Sequence, residues 1–125
     1  MVRSRGDLMW EYQIRVLRVI DGDTIDASVD LGFFTHHHIR VRLYGIDTPE
    51  TRTRDAEEKK RGFAAKAMLV KMLNDADRVI LKSHGIGKFG RCLGELFSEK
   101  GGERMNICEA LIAQGFAKEY NGGKR

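Results

Sequence analysis

The chain has 125 residues, 42% of them hydrophobic and 32% charged, and a formal charge of +4. These totals fit one soluble globular domain with its own core, and they exclude disordered and fibrous classes. No apolar run reaches the length of a transmembrane helix, so no membrane partner is expected, and two cysteines are too few for a disulfide framework. The 22 basic against 18 acidic residues favour polyanionic partners, but a balance of this size identifies none. Cys92 and Cys108 lack zinc-ligand spacing; they are expected to be reduced and buried, with one disulfide as the alternative. Met1 to Trp10 carries two arginines and no apolar h-region. That stretch is expected to be a flexible lead-in and the protein cytoplasmic, or secreted if a leader has been removed.

Glu11 to Ile20 has the alternation of a strand, with Tyr12, Ile14 and Val16 on one parity and Leu17 and Val19 on the other. A parity switch inside a strand predicts a β-bulge or a sharp bend. After Asp21-Gly22-Asp23 a second strand runs from Thr24 to Asp30, a turn surrounds Gly32, and a third strand runs from about His36 into Leu43. A polar loop from Thr51 to Asp55 leads into a long helix from about Ala56 to Leu73. Its apolar face is read as Phe63, Ala64, Ala67, Met68 and Met72. Short strands follow at 78–83 and 91–97, separated by a glycine-rich turn. Asn106, three residues before Glu109, caps a short helix that buries Ala110, Leu111 and Ile112 and ends at Gly115. The tail 121–125 is expected to be flexible. The order predicts an α+β, mainly β domain over residues 11–120: a five-stranded Greek-key barrel of the OB type with two to three packed helices.

Four acids stand at the ends of two apolar-patterned segments, Asp21 and Asp23 around Gly22, Asp47 and Glu50 around Thr48-Pro49. Singly, each pair is ordinary turn chemistry. Together with Arg42 they assemble hard oxygen donors beside a guanidinium, and Asp23, Asp47 and the Thr48 backbone carbonyl suit a hard divalent cation. Arg42 and Arg91 each sit on a strand next to a turn, and a guanidinium matches two phosphate oxygens. His36, His37 and His38 alternate along a strand and cannot readily converge on one ion, so they are read as solvated. Tyr44, Phe89, Phe116 and Tyr120 are candidates for stacking on bases, with core packing the better reading for Phe116.

The segments V-I-D-G-D-T at Val19–Thr24, R-L-Y-G-I-D-T-P-E at Arg42–Glu50, K-F-G-R at Lys88–Arg91 and the Asn106–Lys118 stretch together resemble the staphylococcal (micrococcal) nuclease family. The resemblance implies an OB-type barrel that cuts DNA and RNA with one calcium ion per domain and leaves 3′-phosphates. It places the calcium carboxylates at Asp23 and Asp47 with the Thr48 carbonyl beside them, and an outer-shell acid at Asp21. It places the acid that orients or deprotonates water at Glu50 and the phosphate-clamping arginines at Arg42 and Arg91. Lys88, Phe89 and Tyr120 are implied substrate contacts. Phe89 stands where the family often has Tyr, and the C-terminal helix of longer members has no counterpart. The expected partners are single-stranded or locally opened DNA and RNA, with a monomer favoured. The rival reading is a non-catalytic OB module that binds single strands or a protein partner.

Overall fold

The computed structural model describes residues 10–87 and 90–120. Two antiparallel hairpins begin the chain. β1 (Trp10–Asp21) pairs with β2 (Thr24–Asp30), and β2 pairs with β3 (His36–Leu43) in unbroken register. β4 is only Ile46–Asp47, and α1 spans Ala56–Asp75. Then come β5 (Arg78–Ile86), β6 (Cys92–Lys100), β7 (Glu103–Asn106), α2 (Ile107–Ala113) and β8 (Lys118–Glu119). β5 joins β1 on its free side, β6 joins β5, and a parallel pairing of β3 with β6 closes five strands into a barrel. This is the expected OB-type, mainly β architecture, with two helices among the described residues.

Alternation dictates the interior. Ile25, Ala27 and Val29 of β2 and Val41 and Leu43 of β3 are buried, facing Leu81 and Leu96 from β5 and β6. The expected bulge is present: the β1–β2 register shifts between Val16 and Arg18, leaving Leu17 half exposed. Asp55 caps α1, accepting from the Glu57 and Glu58 amides, and Asn106 caps α2 by accepting from Glu109.

Several expectations need correction. Trp10, read as part of the lead-in, belongs to β1; residues 1–9, Lys88, Phe89 and 121–125, on which the lead-in, tail and two substrate-contact readings fall, lie outside the described residues. The buried face of α1 is Gly62, Ala65, Leu69, Met72 and Leu73, whereas Phe63, Ala64 and Ala67 are exposed and Met68 is half-buried. In α2 the buried residues are Ile107, Cys108 and Leu111, with Ala110 and Ile112 only partly covered. β4, β7 and β8 were not expected; β4 and β8 form a two-stranded clamp that ties the C-terminal segment to Asp47. Cys92 and Cys108 are buried free thiols. Among the described residues no helix is long and apolar enough to cross a membrane.

Candidate active site

The β1–β2 turn is Gly22-Asp23, closed by the Asp21–Thr24 pair. Asp-Gly is a hairpin signal, and here it is also where the site begins. Gly22 is needed for space: a Cβ there would lie 2.8 Å from the Ala65 Cβ and 3.1 Å from the Thr48 side chain. The hairpin tip therefore packs directly on α1 and on the 47–50 turn. Asp23 is buried, and its carboxylate joins the two loops. One oxygen accepts from the Thr24 hydroxyl at 3.0 Å, the other from the Thr48 amide at 3.2 Å. Asp21 accepts from the Thr51 hydroxyl at 2.5 Å.

Arg42 leaves the end of β3 and is held by its surroundings. Its Nη1 donates to the Leu43 and Ile46 carbonyls, both at 3.0 Å. The same guanidinium lies 3.6 Å from Asp23 and 3.4 Å from Asp47, and the Tyr120 ring sits under it with its centroid 5.9 Å away. Arg42, Asp23 and Asp47 side chains are only 14%, 11% and 12% exposed, so their charges interact with little screening. Glu50 is exposed at the rim, and its amide donates to the Glu58 carboxylate at 3.2 Å. α1 supports this turn closely, because a Cβ on Gly62 would lie 2.5 Å from the Glu50 carbonyl oxygen.

Asp21, Asp23, Arg42, Asp47, Thr48, Glu50 and Arg91 line a single cleft of about 360 Å³. Arg91 enters from the start of β6, with its Nε buried. Seven of the residues singled out from the sequence are thus brought together. Tyr120 stands beside them through Arg42, while Lys88 and Phe89 lie outside the described residues. Glu58, Thr51 and Gly62 were missed. Glu58 was findable, since Asp55-x-x-Glu58 is a capping-box pattern; here the glutamate reaches back to Glu50 instead of to the cap. The three histidines are exposed, as expected. Phe116 packs against the core, and Tyr44 stacks on His84 at 4.0 Å.

Asp23 and Asp47 offer hard oxygen donors on either side of one guanidinium, a set that fits a calcium-type ion. The Thr48 hydroxyl adds a buried oxygen with no hydrogen-bond partner. Among the described residues no group of three or more His, Cys, Asp or Glu side chains is placed to hold a metal, so backbone, hydroxyl or water oxygens would have to complete the coordination of an ion at Asp23 and Asp47.

The model of the family described as "Staphylococcal nuclease homologue" matches residues 40–125. The chain belongs to this staphylococcal nuclease homologue family. The match covers Arg42, Asp47, Thr48, Glu50 and Arg91, and the fold brings Asp21 and Asp23 to them from outside it. The chain is 32% identical over 117 residues to endonuclease YhcR of Bacillus subtilis, covering 88% of this chain and 9% of that protein. It is 30% identical over 115 residues to protein ParB of Escherichia coli, covering 88% and 58%. An uncharacterized endonuclease of Escherichia coli O157:H7 is 29% identical over 107 residues, covering 85% and 60%. The chain therefore spans less than two thirds of the length of each of these relatives. Its site is nuclease-like: acids and guanidiniums face one cleft on an OB-type barrel.

Proposed function

We propose that this domain is a calcium-dependent endonuclease that hydrolyses phosphodiester bonds of DNA and RNA and leaves 3′-phosphates. The observation that carries this reading is the convergence of Asp23 and Asp47, from two separate loops, on Arg42, in a cleft that Glu50 and Arg91 also line. Asp23, Asp47 and the Thr48 carbonyl would hold the ion, with Asp21 behind them; when bound it supplies Lewis-acid polarisation of a phosphoryl oxygen. Glu50, at the exposed rim, orients the attacking water or takes its proton. The water oxygen bonds phosphorus in line as the P–O5′ bond breaks, and the departing 5′ oxygen takes up a proton from solvent water.

Arg42 and Arg91 meet the developing charge on the phosphoryl oxygens. Arg42 is suited to this because two main-chain carbonyls fix its guanidinium before substrate arrives. Lys88, Phe89 and Tyr120 are the proposed flanking contacts, and the substrate is a single strand or a locally opened duplex. Names of relatives that contain the word endonuclease agree with this reading.

The test is incubation with denatured DNA and with RNA, in calcium or in chelator, followed by analysis of the product ends. Cleavage confined to calcium, with 3′-phosphate ends, is the expected result. Binding without calcium-dependent cleavage would replace the enzyme by a non-catalytic OB module.

A further inference from the structure

The outer face of the β1–β2–β3 sheet leads away from the cleft. β2 and β3 pair without interruption from Thr24 and Arg42 at the cleft to Asp30 and His36 at the far end. Alternate strand positions share a face, so Arg42, Arg40, His38 and His36 stand opposite the inward-facing Val41 and Ile39. β1 adds two more cations. Arg15 pairs with Ser28 and Arg18 with Asp26, positions of equal parity on β2. A three-residue spacing would normally put Arg15 and Arg18 on opposite faces; the bulge at Leu17 returns both to one. Four arginines thus share the face with two acids, Asp26 and Asp30. Arg40 clamps Asp26 through contacts of 2.8 and 3.2 Å, and Asp30 accepts from the Gly32 amide at 2.8 Å.

At the far end stands the loop 31–35. Phe33 and Phe34 are 99% and 100% exposed, and their φ angles are +53° and +62°. L-residues enter this left-handed region against steric resistance, and phenylalanine gains no local hydrogen bond there. The loop is nonetheless ordered: Leu31 donates to Thr35 and Thr35 to Gly32, both at 2.9 Å. Two aromatic rings are therefore presented to solvent on a hydrogen-bonded, strained turn, and neither ring is covered by the described residues. Strained and exposed aromatic positions of this kind point to a ligand.

We propose that this face is a track for single-stranded nucleic acid, running from the cleft to the Phe33–Phe34 tip, where unstacked bases stack on the two rings. The proposal rests on the phosphodiesterase reading above. The six residue steps from Thr24 to Asp30 make a path of about 20 Å. Arg15 and Arg18 meet phosphates along the way, and ring stacking tolerates any base. A lipid surface would also accept exposed rings. The arginine row leading back to a cleft built for phosphodiesters favours the strand.

The test compares wild type with the double variant F33N/F34N, since asparagine accepts the left-handed backbone and keeps the loop formed. Two labelled oligothymidylates are titrated, one filling only the cleft and one long enough to reach the tip, in chelator and in calcium. The expected result is binding of the long strand weakened roughly ten- to hundredfold, the short strand unchanged, and kcat on a dinucleotide-scale substrate preserved. Arg15→Ala/Arg18→Ala should lower the salt dependence of long-strand binding by about one to two ions. Equal affinities of the double variant and wild type for the long strand overturn the track and leave the enzyme standing. Equal losses for both lengths also overturn it. A wild-type chain that binds neither strand in either condition overturns the track and the phosphodiesterase reading together. If the double variant loses binding to anionic phospholipid vesicles but not to the long strand, the tip belongs to a membrane instead.

Discussion

Arg42 is anchored rather than merely placed. Its guanidinium uses a planar fork to reach two carbonyls and two carboxylates at once, which an ammonium on a flexible stem cannot reproduce. Arg42→Lys is therefore expected to lose about as much turnover as Arg42→Ala, on the order of 10²–10³ in kcat, with Arg91→Ala in the same range. Steady-state cleavage of a single-stranded substrate checks this, and near-normal turnover in any of the three would remove that guanidinium from the chemistry. Arg42→Ala has a second consequence. It leaves the nearly buried Asp23 and Asp47 without that counter-charge, so its melting temperature in chelator should fall, and calcium should restore more stability to it than to wild type. Thr48 poses the opposite case. Its hydroxyl is buried with no hydrogen-bond partner, so Thr48→Val should raise stability by about 1 kcal/mol, measured by denaturant unfolding without calcium. A loss of stability would show that the hydroxyl has a partner in solution.

At the scale of elements, α1 is the shelf on which both site loops rest. Gly62 touches the backbone of Glu50, and Ala65 touches Gly22. Gly62→Ala sets two effects against each other. Alanine favours a helix interior by about 1 kcal/mol, but its Cβ would sit 2.5 Å from a backbone oxygen that has no flexible end to move. The clash should dominate, costing roughly 1–3 kcal/mol and displacing Glu50. The expected outcome is a fall in kcat together with lower stability, whereas Ala64→Gly on the exposed face should cost only the helix propensity. The same element shows where reading the chain failed. Strands β2 and β3 were legible because period-two alternation is strict there, and in β1 the bulge announced itself as a parity switch at Leu17. The face of α1 was not. Its contacts at the site are made by Gly62 and Ala65, which carry almost no hydrophobic signal, while Phe63 carries a strong one and points to solvent. β4 and β8 are two residues each and exist only through pairing with one another, so no local pattern marks them. The acids of the cleft were legible as turn residues, but that Asp23 reaches the Thr48 amide is a tertiary fact.

At the scale of the whole molecule, the barrel and α2 share a seam in which one buried thiol, Cys108, has a shifted pKa. Asn106 caps α2 with its oxygen and donates from its Nδ2 to Glu95 at 2.9 Å; Glu95 also meets His84 at 2.7 Å. Cys108, the second residue of α2, is buried, and that burial pushes its thiol up to about 11 from an ordinary value of 9.0. The sign follows from the direction of the shift. Well below pH 9 the thiol is protonated in both states and burial imposes no ionisation cost. As pH rises from 9 towards 11, the unfolded chain releases this proton while the folded chain retains it, so the unfolded state gains and stability drains away. A displacement of this size corresponds to roughly 2–3 kcal/mol at the upper end of the window. Denaturant unfolding of wild type and Cys108→Ala across that range isolates the effect from lysines and tyrosines, which titrate in both proteins. The variant starts less stable, because truncation leaves a small void, and its stability should fall less steeply between pH 9 and 11. Parallel slopes would mean that α2 opens at high pH before the domain unfolds, exposing the thiol without global loss of structure. In that case Cys108 should react with iodoacetamide at pH 10 faster than global unfolding permits.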